Sequence, residues 1–134
     1  MRREPPHTRY RLSCLNSAVR FFREHVRNRD LTLETLCVAC LNFDYRCVGL
    51  LSFQGNEASV LLPLRTIIQE VLSLDTAGIV LAHNHPSGDA RPSSHDIRVT
   101  RRLASVFDAL DYAVFDHLIF AGDECTSFRA LGLL

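Results

Sequence analysis

Apolar residues recur at helical spacing in some stretches of this chain and run together in others, and the two patterns divide it into elements. Residues 17–29 place Val19, Phe22 and Val26 at helical spacing, with Arg20, Arg23 and Arg27 on the other side. Residues 35–41 and 46–53 read as two strands of a hairpin turning near 42–45. Gly55-Asn56-Glu57 reads as a turn. Pro63 then stands where a helix would begin, with Ile67, Ile68, Val71 and Leu74 as its buried stripe. Residues 77–82 form a continuous apolar run of the kind that makes a buried strand. A third helix begins at Ser93, with Ile97, Leu103, Phe107 and Leu110 facing inward. A strand over 112–121 and a short last segment after Gly122-Asp123 close the chain. Residues 1–12 are polar, carry Pro5-Pro6, and read as a loosely held arm.

The predicted order is α-β-β-α-β-α-β. It implies an α/β domain of two or three layers around one mixed sheet. An arm over residues 1–14 and one domain over 15–134 account for all 134 residues, a length that suits one core. The sequence shows no internal repeat and no linker.

Composition narrows the functional classes. Net charge is zero with His neutral, so the whole molecule has no electrostatic drive toward nucleic acid. The arginine clusters at Arg20, Arg23 and Arg27 and at Arg98, Arg101 and Arg102 read as solvated helix faces. No apolar stretch is long enough to span a bilayer, and no secretory signal is evident, so the expected setting is the cytoplasm. The five cysteines are expected to stay reduced there. Cys37 and Cys40 make a C-x-x-C, but on a strand they point to opposite faces and cannot share a metal. Cys40 and Cys47 flank the hairpin turn about equally and are expected to face each other as thiols.

The chemistry concentrates in residues 83–96. His83 and His85 stand at i and i+2 where the apolar strand ends, so both imidazoles can face one metal. Pro86 stiffens the backbone after them. Asp96 would lie in the first turn of the third helix and could complete two imidazoles and a carboxylate, the ligand set of an open zinc site. A competing reading treats Ser93 and Asp96 as a helix capping box, which needs no metal. His117 reads as a structural histidine, with a place beside the metal as the alternative. His95 should point away from Asp96 and reads as a surface residue.

The run H-x-H-P, six residues, S-x-x-D, at His83, His85, Pro86, Ser93 and Asp96, resembles the signature of the JAB/MPN (JAMM) metalloprotease superfamily. The longer form H-N-H-P-S-G-x-x-x-P-S-x-x-D resembles its RadC branch, bacterial proteins named for DNA repair. Leu64-Arg65-Thr66-Ile67-Ile68, Asp116-His117-Leu118-Ile119, Ser127-Phe128-Arg129 and Gly132-Leu133-Leu134 agree with that branch, over residues 15–134.

The resemblance implies a three-layer, cytidine-deaminase-like architecture and one zinc ion per chain on His83, His85 and Asp96. Ser93 would help hold the polarised carbonyl or the site water. The implied chemistry is hydrolysis of an amide or isopeptide bond in a protein or peptide. In the superfamily a glutamate on an early strand is the general base. Counting back from the His loop puts its place near Leu50 or Leu51, where there is no carboxylate. Glu57 and Asp89 are the candidate substitutes. The apparent loss of the glutamate motivates an alternative, a non-catalytic zinc-containing binding or scaffold module. RadC proteins often carry a helix-hairpin-helix module before this domain. Only a short arm precedes it here, so the usual sequence-level reason to expect DNA binding is absent. Recognition of a protein tail or of nucleic acid, with a link to DNA repair through the family name, belongs to the non-catalytic alternative and has no support from charge. Self-association of the domain is a further expectation from the superfamily.

Overall fold

The computed structural model describes residues 1–26, 32–55 and 63–134. Seven strands and three helices follow the order β1 (Arg2–Glu4), β2 (His7–Arg11), α1 (Leu15–Val26), β3 (Thr35–Leu41), β4 (Arg46–Gln54), α2 (Leu64–Ser73), β5 (Gly78–Asn84), α3 (Ser94–Ala109), β6 (Ala113–Ala121) and β7 (Glu124–Ser127). The strands join one mixed sheet in the spatial order β1-β4-β3-β5-β6-β7, with β2 also on β4. Among the described residues only β5 and β6 run parallel, and α3 is the crossover that a parallel pair requires.

The sheet is covered on both faces, so the architecture has three layers. Cys37, Ala39, Leu41, Val80, Ala82 and Leu118 pack against Ala18, Phe21 and Phe22 of α1. Leu36, Val38, Cys40, Ile79 and Leu81 pack against Ile67 and Val71 of α2 and Leu103 and Phe107 of α3. A strand buried on both sides has no polar face to expose. That is why β3 and β5 are apolar almost throughout. Gly78 opens β5 where a Cβ would lie 2.3 Å from the Ala113 carbonyl oxygen, so only glycine lets β5 and β6 start together.

Several expectations shift. The polar N-terminal arm is not loose. It forms two strands on the outer edge of β4, with Arg3 opposite Leu51 and His7 opposite Cys47. Edge pairing uses backbone groups and needs no apolar side chains, so the pattern could not reveal it. Pro5-Pro6, lacking N–H donors, separates the two strands. An ion pair from the exposed Arg3 to the buried Glu70 of α2 ties the arm down. The buried stripe of α1 is Ala18, Phe21 and Phe22, with Val19 partly buried; Arg27 and the expected end of this helix lie outside the described residues. On α3, Leu110 is the C-cap and is 44% exposed rather than buried. The 55–57 turn is described only at Gly55, whose φ of 60° suits glycine; Asn56 and Glu57 lie outside the described residues.

The two cysteine expectations divide. Cys37 and Cys40 do lie in cores on opposite faces of the sheet. Cys40 and Cys47 do not face each other. An irregularity at Cys40/Leu41 puts Gly49 opposite Cys40 and Cys47 opposite Leu41, on the other face. Burial pushes the thiol of Cys40 up to about 12 and that of Cys47 up to about 11. Cys14 is exposed, and hydrogen bonding with Ser17 lowers its pKa. Near neutral pH, iodoacetamide should therefore alkylate Cys14 first and reach Cys40 and Cys47 only on unfolding. Peptide mapping by mass spectrometry checks this, and early labelling of Cys40 would refute it.

Candidate metal centre

The centre forms where β5 ends, between β3 and α3. His83 is the penultimate residue of β5, on the face that carries Ile79 and Leu81 and looks toward α3. His85 follows two residues later on the same side. Asp96 enters from the first turn of α3. The two readings of Asp96 turn out to be compatible. Ser93 is the N-cap, its Oγ accepts from the Asp96 amide at 3.0 Å, and its own amide donates to Asp96 Oδ2 at 2.8 Å. The same carboxylate lies 3.1 Å from His85 Nε2 through Oδ2 and 3.5 Å from His83 Nε2 through Oδ1. Two oxygens with about four lone-pair directions allow both uses. Burial would raise the pKa of Asp96, but hydrogen bonding from His83 and Ser93 outweighs it and holds the carboxyl well below the usual carboxylate range.

A fourth group completes the cluster, and it is one that sequence reasoning missed. Glu34 immediately precedes β3, and its Oε1 lies 3.9 Å from His83 Nε2. Glu34, His83, His85 and Asp96 each offer a ligand atom within 4.8 Å of the others. The sheet register explains why. β3 runs antiparallel to β5 with Leu36 opposite His83. Continuing that register two residues brings position 34 across from position 85, on the same face. Leu50 and Leu51, the positions counted back from the His loop, lie away from this cluster. Those residues pair with Ala39 and Val38 in the middle of the sheet, on a strand that does not touch β5, and are 0% and 1% exposed. Of the two candidate substitutes, Glu57 lies outside the described residues. The Asp89 carboxylate is exposed and turned to Arg91, 2.7 Å away, which lowers its pKa to about 2.

Asn84 holds Glu34 in place. Its Oδ1 accepts from the Thr35 amide at 2.7 Å, and its Nδ2 donates to the Leu33 carbonyl at 2.9 Å, so it grips the backbone on both sides of Glu34. Asn84→Ala should leave the metal content intact and lower any turnover by up to about 10²-fold through misplacement of Glu34. A loss of metal in that variant would refute this division of labour.

The protons of the two histidines decide what the centre can bind. His85 Nδ1 lies 2.7 Å from the Asp89 carbonyl oxygen, which can only accept, so Nδ1 carries a proton. A neutral His85 therefore aims a lone pair from Nε2. That atom is 2.8 Å from His83 Nε2 and 3.1 Å from an Asp96 oxygen. Donors this close, with an ionised carboxylate among them, can converge on a cation. Nitrogen and oxygen ligands of a tetrahedral zinc stand about 3.3 Å apart, and the separations here straddle that value. The residues fit zinc.

His117 stands behind His83. Its Nε2 is 2.6 Å from His83 Nδ1, and its Nδ1 is 2.7 Å from Thr100 Oγ1 of α3. Phe128 stacks on its ring at 4.5 Å. Asp116 makes that stacking available: it accepts from Ser127 Oγ at 2.6 Å and from the Arg129 amide at 3.1 Å, drawing the 127–129 turn onto β6. Burial pushes the pKa of His117 well below its ordinary value, so it is neutral. His95 is half-buried and lines the mouth of the centre with Glu34 and Asp96, where the sequence placed it on the surface. The centre opens from a pocket of about 40 Å³ into a cleft of about 690 Å³ that runs along the 85–96 loop.

Fold and site together define a three-layer α/β domain with a group of side chains able to hold a metal ion at the end of a central strand. The family profile of the RadC-like JAB domain matches residues 12–133, and the chain belongs to that family. It is similar to the UPF0758 protein of Photobacterium profundum, with 34% identity over 131 residues, 97% of this chain and 53% of that protein. The UPF0758 protein of Thiobacillus denitrificans is 37% identical over 107 residues, 79% of this chain and 48% of the relative. That of Vibrio cholerae serotype O1 is 42% identical over 82 residues, 61% of this chain and 52% of the relative. The chain thus spans about half the length of the curated relatives it matches. Among the described residues no helix is long and apolar enough to cross a membrane.

Proposed function

We propose that this domain is a zinc-dependent hydrolase of amide or isopeptide bonds in a protein or peptide. The observation that carries the proposal is Glu34, 3.9 Å from His83 Nε2 beside Asp96 and His85. His83, His85 and Asp96 would hold the zinc, which when bound supplies Lewis acidity to water and to the substrate carbonyl. Glu34 takes a proton from the attacking water and returns it to the departing nitrogen as the C–N bond breaks. Its side chain is 39% exposed, which leaves it free to exchange protons at the cleft. Ser93 accepts from the Asp96 amide and keeps its hydroxyl proton to donate to the carbonyl oxygen. The cleft along 85–96 is open enough for an extended chain. Cytoplasmic residence belongs to the same proposal.

The alternative, a zinc-containing scaffold without a general base, rests on there being no carboxylate for that role, and Glu34 beside His83 favours hydrolysis over it. The deciding experiment measures zinc by elemental analysis and hydrolysis on a panel of peptides and isopeptide-linked substrates. About one zinc per chain and turnover abolished by a chelator support the proposal. A metal-free native protein, or a zinc-loaded one inert to the whole panel, overturns it.

A further inference from the structure

His83 has two ring nitrogens, and a metal can use Nε2 only if the ring proton sits on Nδ1. We propose that Thr100 and His117 form a buried relay that sets the tautomer of His83 and so decides whether its Nε2 is a ligand; this rests on the zinc reading above.

The relay consists of His83 Nδ1, 2.6 Å from His117 Nε2, and His117 Nδ1, 2.7 Å from Thr100 Oγ1. One proton lies in each contact, and the groups admit two arrangements with the same proton count. In the first, His83 Nδ1–H donates to His117 Nε2, and His117 Nδ1–H donates to the Thr100 oxygen. His83 Nε2 is then a lone pair, aimed at the same point as His85 Nε2 and Asp96. In the second, the Thr100 hydroxyl donates to His117 Nδ1, and His117 Nε2–H donates to His83 Nδ1. His83 then carries its proton on Nε2 and donates it to His85 Nε2, 2.8 Å away. The first arrangement receives a metal and the second closes the centre by an internal hydrogen bond. Thr100 serves both arrangements, since a hydroxyl can accept or donate; without it the first leaves a buried His117 N–H unpaired, a rarer defect than the bare lone pair left in the second. His83, Thr100 and His117 are all buried, so water does not scramble the choice. Thr100 and His117 are positioning residues and touch no substrate.

The test uses the full chain. Zinc affinity is measured by competition with a chromophoric chelator, and imidazole protons are placed by long-range ¹H–¹⁵N spectra of the zinc-loaded native protein. The spectra should show His83 and His117 both protonated on Nδ1. Thr100→Val keeps the shape but removes the acceptor, and should bind zinc about 10–100-fold more weakly. Thr100→Ser restores the hydroxyl and should restore the affinity. A merely structural Thr100 would move the melting temperature of the metal-free protein and leave the affinity and tautomers alone. Native affinity in Thr100→Val, or a proton on His117 Nε2 in the zinc-loaded protein, overturns the relay. If Thr100→Val fails to fold, the native spectra decide by themselves. A native chain that binds no zinc sinks the proposed function first, and the relay with it.

Discussion

Glu34→Gln should keep about one zinc per chain and lose roughly 10²–10⁴ in turnover. That is the range over which a positioned general base contributes. The amide keeps the size and hydrogen-bonding capacity of the side chain but cannot take a proton at neutral pH. Glu34 is the outermost of the four donors: His85 and Asp96 approach His83 Nε2 to 2.8 Å and 3.5 Å, Glu34 only to 3.9 Å. Three inner donors suffice to hold the ion, so metal content and turnover should separate in this variant. Elemental analysis alongside a peptide or isopeptide assay reads both. Full turnover in Glu34→Gln would remove Glu34 from the chemistry. Loss of zinc would make it a ligand instead. Installing a carboxylate at Leu50 or Leu51 should not help, because both side chains are fully packed and a charge there would be buried without a partner.

The double variant His83→Ala, His85→Ala should bring zinc from about one per chain to none and erase the dependence of stability on the metal. A ligand that binds only the folded state at 100 times its dissociation constant stabilises it by about 2.7 kcal/mol. In a domain of this size that is a shift of several degrees in melting temperature. A chelator should therefore lower the melting temperature of the native protein and leave that of the double variant unchanged. Equal chelator sensitivity in both would place the metal elsewhere. Asp96 needs a gentler change, since alanine there would also remove the acceptor of the Ser93 amide at the N-cap. Asp96→Asn retains an oxygen for the cap while removing the charge from the centre.

How much of this was legible in the sequence depended on the range over which each feature is encoded. The strands at 35–41 and 46–53 came from short apolar runs either side of a turn, and the second and third helices from a period of 3.6, because burial is written locally. The RadC-like signature identified the family that the profile over residues 12–133 now shows. The N-terminal strands escaped because backbone pairing at a sheet edge leaves no mark on side-chain pattern. Glu34 escaped for another reason. Distance counted back along the chain is not adjacency in the sheet, and β3, not β4, lies beside β5. A carboxylate just before an apolar run was the available signal, and reading it required the strand order. The capping box and the metal reading of Asp96 seemed exclusive only while the carboxylate was counted as one acceptor instead of two. Thr100 and His117 lie 17 positions apart and meet only once α3 crosses back to β6.

The register of β3 acts as the ruler of this centre. Asn84 clamps the strand at Leu33 and Thr35, and the Ala77 amide closes it at the Leu41 carbonyl, 2.7 Å away. Between those two pins the strand has no freedom to slide. A slip of one residue would swing Glu34 to the α1 side of the sheet; a slip of two would keep it facing α3 but carry it about 7 Å along. Insertions or deletions within residues 35–41 should thus be more damaging to the chemistry than many substitutions near the ligands, even where every side chain of the cluster is retained.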